Sequence, residues 1–172
     1  MRLALTRCSI RPWTLADAAS LQRHANDRRV SIQLRDRFPF PYTSEHAQNF
    51  LSWVTTQASP TVWAIDVDGE ACGSIGIELQ TDVERVSAEI GYWLGQAVWG
   101  KGIATEALIA VTSEVFRQFD LTRLYAVPFS DHVASVRVLE KAGYVREGHL
   151  RQSAIKDGTI RDQLLFAAYR TL

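Results

Sequence analysis

The stretch GYWLGQAVWGKGIATEALIAV, residues 91–111, constrains this chain more than any other. It begins in a strand-like run and ends in a helix-like one, with Gly95, Gly100, Lys101 and Gly102 between them. A strand that turns through glycines into a helix N-terminus presents a row of backbone N–H groups to an anion. Glycine also lets the backbone approach that anion closely. The fold must keep this joint open, and the first question is which phosphate it suits.

Three phosphate chemistries and a ligand-free loop compete. Gly95, Gly100 and Lys101 fit the nucleotide loop G-x-x-x-x-G-K-[ST], but Gly102 stands where that loop needs a hydroxyl for magnesium. Several antiparallel-looking strands also come first, whereas such a loop opens a parallel sheet. Gly100 and Gly102 fit the start of the dinucleotide pattern G-x-G-x-x-G/A, with Thr105 in its sixth place. No strand about 20 residues further on ends in an acid for the ribose. The third chemistry, a pyrophosphate such as that of coenzyme A held by backbone N–H groups, needs no metal.

The flanking sequence supplies the elements. ALTRCSIRPW alternates and stops at Pro12, which predicts a first strand. Thr14 and Asp17 form a capping-box pattern ahead of a helix through LADAASLQRHAND. Pro39 and Pro41 make RFPFPYT a loop, and Thr43 caps a second helix with Ala47, Phe50, Leu51 and Val54 on one face. TVWAIDV and ACGSIGIEL flank Asp68-Gly69, a hairpin signal, and VSAEIGYWL is a third strand of this group. Past the glycine joint, Ala104, Ala107, Leu108, Val111 and Val115 form a helical stripe. RLYAVPF is a short strand, and Asp131 is placed to cap the helix HVASVRVLEKA, which ends at Gly143. Two last strands face each other across Asp157-Gly158. This order predicts an α/β (α+β) domain covering residues 1–172, with a mixed, largely antiparallel sheet of about seven strands and helices on both sides.

Composition removes several function classes. Lys+Arg and Asp+Glu are 19 each, so there is no global field to collect nucleic acid or an anionic membrane. Hydrophobic residues are 47% and charged residues 22%, a profile expected of a soluble protein. The N-terminal region has no apolar signal core and no apolar run reaches membrane-spanning length, which predicts a cytoplasmic protein. Cys8 and Cys72 read as reduced core thiols, and His24, His46 and His149 show no metal-ligand spacing, so no metal is expected.

AEIGYWLGQAVWGKGIATEAL followed by DHVASVRVLEKAGYVREG resembles the core of the GNAT superfamily of acetyl-CoA-dependent N-acetyltransferases. The resemblance runs through SIRPW, FPFPYTSEHAQNFL and DGTIRDQLLFA and is nearest to the RimJ/RimL-type ribosomal-protein N-terminal acetyltransferases. It implies the GNAT fold and transfer of acetyl from acetyl-CoA to a primary amine. It implies that the pantetheine arm meets Trp93 and Leu94, and that Trp99, Gly100, Lys101, Gly102, Ile103, Ala104 and Thr105 form the pyrophosphate cradle. The superfamily motif Q/R-x-x-G-x-G/A carries Trp99 in its first place here, with Gly102 and Ala104 in the others. His132 stands where this branch carries a cofactor-binding asparagine.

The chemistry asks for a base to free the amine, an acid for the departing thiolate and a donor for the oxyanion. Glu89 lies among apolar residues on the strand before the cradle, where a carboxylate is costly unless used or paired; base and ion pair with Arg85 are the two readings. The resemblance gives Ser135 the acid role, because the tyrosine that many members carry four residues later is Leu139 here. The branch places acceptor contacts in the loop that holds Tyr42. The acceptor is expected to be a protein or peptide N-terminus, with a small-molecule amine or a non-enzymatic acyl-CoA-binding module as alternatives. A homodimer is the assembly to test; nucleic-acid and membrane partners are not expected.

Overall fold

The computed structural model of the chain describes residues 1–170. Two Asp-Gly turns organise its hairpins. Asp68 and Gly69 take φ of 54° and 86°, and Asp157 and Gly158 take 50° and 75°, the pair of left-handed residues that matches the twist of a tight hairpin. The first joins β3 (Val62–Val67) to β4 (Glu70–Leu79), the second β7 (Val145–Lys156) to β8 (Thr159–Tyr169).

The chain forms two compact units. The first comprises Met1–Gly76 and Tyr92–Ala107. It opens with β1 (Leu3–Ala4) and β2 (Ser9–Arg11), paired antiparallel with Leu3 opposite Ile10. A 3₁₀ turn over Leu15–Asp17 leads into α1 (Ala18–Ala25), followed by α2 (Arg28–Ser31) and α3 (Ser44–Thr55). Thr43 caps α3, its hydroxyl accepting the His46 N–H while His46 Nδ1 accepts the Thr43 N–H. Trp13, Leu21, Ala25, Tyr42, Leu51 and Val54 are the buried centre, with Phe38, Phe50 and Trp93 packed on it. Beside it Arg11 grips two acids: its Nη atoms donate to both Asp17 oxygens at 2.7 and 2.8 Å, and its Nε donates to Asp66 at 2.7 Å.

The second unit comprises Ile77–Gly91 and the chain from Leu108 onward. It holds β6 (Arg123–Ala126), α5 (Val133–Lys141) and the long β7–β8 hairpin. Its buried residues include Leu108, Val111, Val115, Leu124, Leu139 and Phe166. Two elements pass through both units: β5 (Ser87–Leu94) and α4 (Ile103–Gln118). The strands follow the order β1-β2-β3-β4-β5-β6-β8-β7. Antiparallel registers join β1–β2, β2–β3, β3–β4, β6–β8 and β7–β8, and β5 runs parallel to β6.

Three expectations change. There are eight strands among the described residues rather than seven, because ALTRCSIRPW folds back on itself: Leu5 N–H reaches Cys8 O at 3.0 Å and splits it into β1 and β2. The first helix is shorter than LADAASLQRHAND. It ends at Ala25, and Asp27 starts α2 by accepting the Arg29 N–H at 2.8 Å. Asp131 does not cap α5. The N-cap is His132, without a side-chain cap bond, and Asp131 instead pairs with Arg161.

Candidate functional site

The candidate cradle lies in the first unit, where Gly100 and Gly102 lead into α4. Gly100 and Gly102 hold φ of 74° and 77°, which side chains adopt only under strain. The bond from Glu106 N–H to Gly102 O, at 3.1 Å, closes the first turn of α4. The N–H groups of Ile103, Ala104 and Thr105 therefore precede any intrahelical acceptor, the usual state of a helix N-terminus. Gly100, Lys101 and Gly102 are exposed and Ile103 is buried, so the turn presents its backbone while its first apolar side chain anchors it. A Cβ at Gly100 would meet nothing within 4 Å. At Gly102 it would lie 3.5 Å from Arg7 Nε, which places a guanidinium beside the cradle.

Arg7 was not singled out from sequence. Its backbone N–H donates to Glu106 at 3.0 Å, and the Thr6 N–H does the same at 2.9 Å. The turn between β1 and β2 is thereby tied to the first turn of α4, with the Arg7 guanidinium mostly exposed. No spacing rule links positions 7 and 106.

On the strand side of the cradle, Trp93 is half-buried, with Phe38 edge-on at 5.4 Å between ring centroids, and Leu94 is buried. Trp99 is exposed, and its indole N–H donates to Leu94 O at 2.8 Å, which fixes the bend between strand and cradle. The Gly95 N–H donates to Cys72 O at 2.7 Å. Tyr42 is buried: its ring packs on Phe38 at 5.1 Å, its N–H donates to Asn26 Oδ1, and burial pushes its phenol up to about 12.

The second unit holds the residues with catalytic expectations. Glu89 is half-buried on β5 and stands opposite Tyr125 of β6. The parallel ladder covers Ser87–Glu89 only, so β5 runs on past its last β6 partner toward Leu94. Along β5, Ala88, Ile90 and Leu94 are buried, while Glu89, Gly91 and Trp93 alternate on the more open face. Ser135 is the third residue of α5 and half-buried. Leu139, one turn later, is fully buried and belongs to the core. His132 is half-buried at the start of α5. Burial lowers its imidazole pKa, the Arg161 charge lowers it further, and Asp131 opposes them.

His24, Glu70 and Cys72 of the first unit bring one ligand atom each within 4.8 Å of one another, although their spacing shows no ligand pattern.

Comparison with known proteins supplies the family. Residues 7–145 match the family model described as an acetyltransferase (GNAT) domain. The chain is 38% identical to the uncharacterized N-acetyltransferase YoaA of Bacillus subtilis over 98 residues, which is 57% of this chain and 55% of that protein. It is 32% identical to the Escherichia coli ribosomal-protein-serine acetyltransferase over 81 residues, 47% of this chain and 45% of that protein. The chain thus spans about half the length of these two curated relatives. Mycobacterium smegmatis RimJ, solved with CoA-disulfide, superposes with a TM-score of 0.83 at 27% identity, over 94% of this chain and 81% of that one. With its glycine-started helix, its β5 running beyond the β6 ladder and a family match over most of its length, the chain belongs to the GNAT acetyltransferase family.

Proposed function

We propose that this protein transfers the acetyl group of acetyl-CoA to the α-amine of a protein N-terminus, in the cytoplasm. The observation that carries the first half is the cradle: exposed backbone at Gly100–Gly102, the open N–H groups of Ile103–Thr105, and Arg7 beside them. This suits a pyrophosphate and needs no metal. The unladdered end of β5 at Trp93 and Leu94 offers main-chain groups for an amide-bearing pantetheine arm. A protein acceptor is supported by likeness to the Escherichia coli ribosomal-protein-serine acetyltransferase, and the choice of its N-terminus rests on the sequence resemblance to the RimJ/RimL-type branch.

Acetyl-CoA supplies an activated thioester carbonyl. Glu89 takes the proton of the acceptor ammonium, directly or through a water, leaving a nucleophilic amine. Ser135 donates a proton to the departing sulfur. His132, held neutral near pH 7 by its lowered pKa, is placed to donate or accept a hydrogen bond at the start of α5. Tyr42 serves the acceptor loop by packing: it anchors the segment that carries the exposed Phe40, against which Arg28 stacks at 5.5 Å.

The test is thiol release with short peptides bearing free N-termini, in competition with polyamines and amino acids. Ser135→Ala and Glu89→Gln should each cost roughly 10²–10⁴-fold in kcat, with little change in KM for acetyl-CoA. Turnover with small amines alone overturns the peptide acceptor. Coenzyme A binding without turnover of any amine overturns the enzyme reading. Wild-type rates in both variants overturn the two role assignments.

A further inference from the structure

We propose that His24, Glu70 and Cys72 form a binding site for a divalent ion of the zinc class, separate from the acetyl-transfer chemistry.

The three side chains come from two elements of the first unit. Glu70 and Cys72 are two residues apart on β4, where the register against β3 shifts at Cys72, and their ligand atoms converge on His24. His24 lies in the last turn of α1 and meets Glu70 through Nε2. One nitrogen, one sulfur and one carboxylate oxygen all lie within 4.8 Å of one another. Zinc bonds of about 2.0–2.3 Å in a tetrahedron hold neighbouring ligand atoms roughly 3.3–3.6 Å apart. Cys72 must close by about 1 Å, and the Glu70 carboxylate must step back by about the same amount to let an ion enter between it and His24.

Burial makes those movements reasonable. His24 and Cys72 are 9% and 4% exposed, so the sulfur closes on the ion by a small shift within packed surroundings. The Glu70 side chain is 41% exposed, so its carboxylate can step back toward solvent and leave a route for the ion. Nitrogen, sulfur and oxygen donors together suit zinc or cobalt rather than calcium or magnesium, which take oxygen ligands. Three protein ligands leave a fourth place for water. Glu70 also accepts from Arg23 Nη2 at 2.5 Å; with two oxygens it can keep Arg23 on one and give the other to the ion.

Binding exchanges one proton for one bond. The Cys72 thiol gives its proton to solvent as the sulfur–metal bond forms, so each ion bound releases one proton.

The experiment is titration of the chelator-treated full chain with Co²⁺, followed by absorption spectroscopy. One equivalent should produce a near-ultraviolet thiolate-to-cobalt charge-transfer band, visible bands of tetrahedral intensity and one proton in weakly buffered solution, and Zn²⁺ should bleach the bands. Cys72→Ser should remove the charge-transfer band and Cys8→Ser should retain it, since both thiols are buried but only Cys72 belongs to the cluster. Glu70→Gln, a change at a partly exposed side chain, should fold and weaken Co²⁺ at least about tenfold. Absence of a charge-transfer band in the wild-type chain, or its survival in Cys72→Ser, overturns the proposal; so does unchanged affinity in Glu70→Gln. Acetyl transfer should persist under excess chelator, which keeps this test apart from that of the proposed function.

Discussion

Gly95→Ala should destabilise the protein because of one histidine ring. The backbone of Gly95 is extended, with φ −63° and ψ 147°, a conformation that alanine adopts freely. On backbone grounds alone the change would stabilise by about 0.4–1 kcal/mol, through reduced freedom of the unfolded chain. The surroundings reverse the sign. A Cβ at position 95 would stand 2.7 Å from His24 Cγ and 2.8 Å from its Cβ, and closer still to Nδ1. Carbon atoms prefer about 3.5–4.0 Å, so the overlap is about 1 Å across one side of the ring. The ring is buried and held through Nε2 by Glu70, which is held by Arg23. Relief requires breaking that pair or lifting the Gly95 N–H from Cys72 O. Overpacking of this kind costs about 1–3 kcal/mol. For a chain of this length that is a fall in Tm of roughly 2–4 °C per kcal/mol.

The assay is a double-mutant cycle by thermal or urea unfolding. In the wild-type background Gly95→Ala should destabilise. In His24→Gly, which removes the side-chain Cβ as well as the ring, the obstacle is gone, and the same change should be neutral or stabilising. The coupling should fall within about 1–3 kcal/mol. An equal cost of Gly95→Ala in both backgrounds would refute the steric argument and assign the glycine to backbone freedom instead.

Five more outcomes follow from the same geometry. Gly102→Ala should cost about 1–2 kcal/mol of stability from its left-handed φ of 77° and weaken coenzyme A in calorimetry. Arg7→Ala should weaken coenzyme A with little loss of stability, since its side chain is 55% exposed. Arg11→Met should cost about 3–5 kcal/mol by leaving Asp17 and Asp66 unpaired. Burial pushes the Asp17 carboxyl up, but its bonds from Arg11 and Thr14 outweigh this and hold it below 3.8; the stability it contributes is present above that value and lost as pH falls through the folded one. His132 should titrate below 6.5 by NMR, and Arg161→Gln should move it up by removing a like charge, although burial remains the larger cause.

The fold was legible wherever a local rule decided it. Asp68-Gly69 and Asp157-Gly158 dictate hairpins through two left-handed residues each, and the residues beside them do pair, Val67 with Glu70 and Lys156 with Thr159. Gly143, with φ of 83°, ends α5 as its position suggests. The misread segments depend on partners far along the chain. The turn that splits ALTRCSIRPW contains neither glycine nor proline. Its Thr6 and Arg7 N–H groups are satisfied by Glu106, about a hundred residues away, which no local pattern reports. Asp131 has the composition of a cap and is taken by Arg161, thirty positions later.

The candidate site divides along the same line, and its glycines show how. From sequence, Gly95, Gly100 and Gly102 look like one glycine-rich feature, with Gly91 on the strand before it. The structure gives them separate physical reasons. Gly100 and Gly102 supply left-handed turns that aim a helix N-terminus outward. Gly95 supplies no special backbone angle and is small because His24 lies against it. At Gly91 a Cβ would meet nothing within 4 Å, and the position lies on the open face of β5 between Glu89 and Trp93. Nucleotide-loop pattern matching enlists Gly95 with Gly100 and Lys101 although Gly95 does different work. A motif therefore groups Gly95 with glycines whose backbone does different work, and misattributes that letter. The role of that letter is set by residue 24, which only the folded chain brings alongside it.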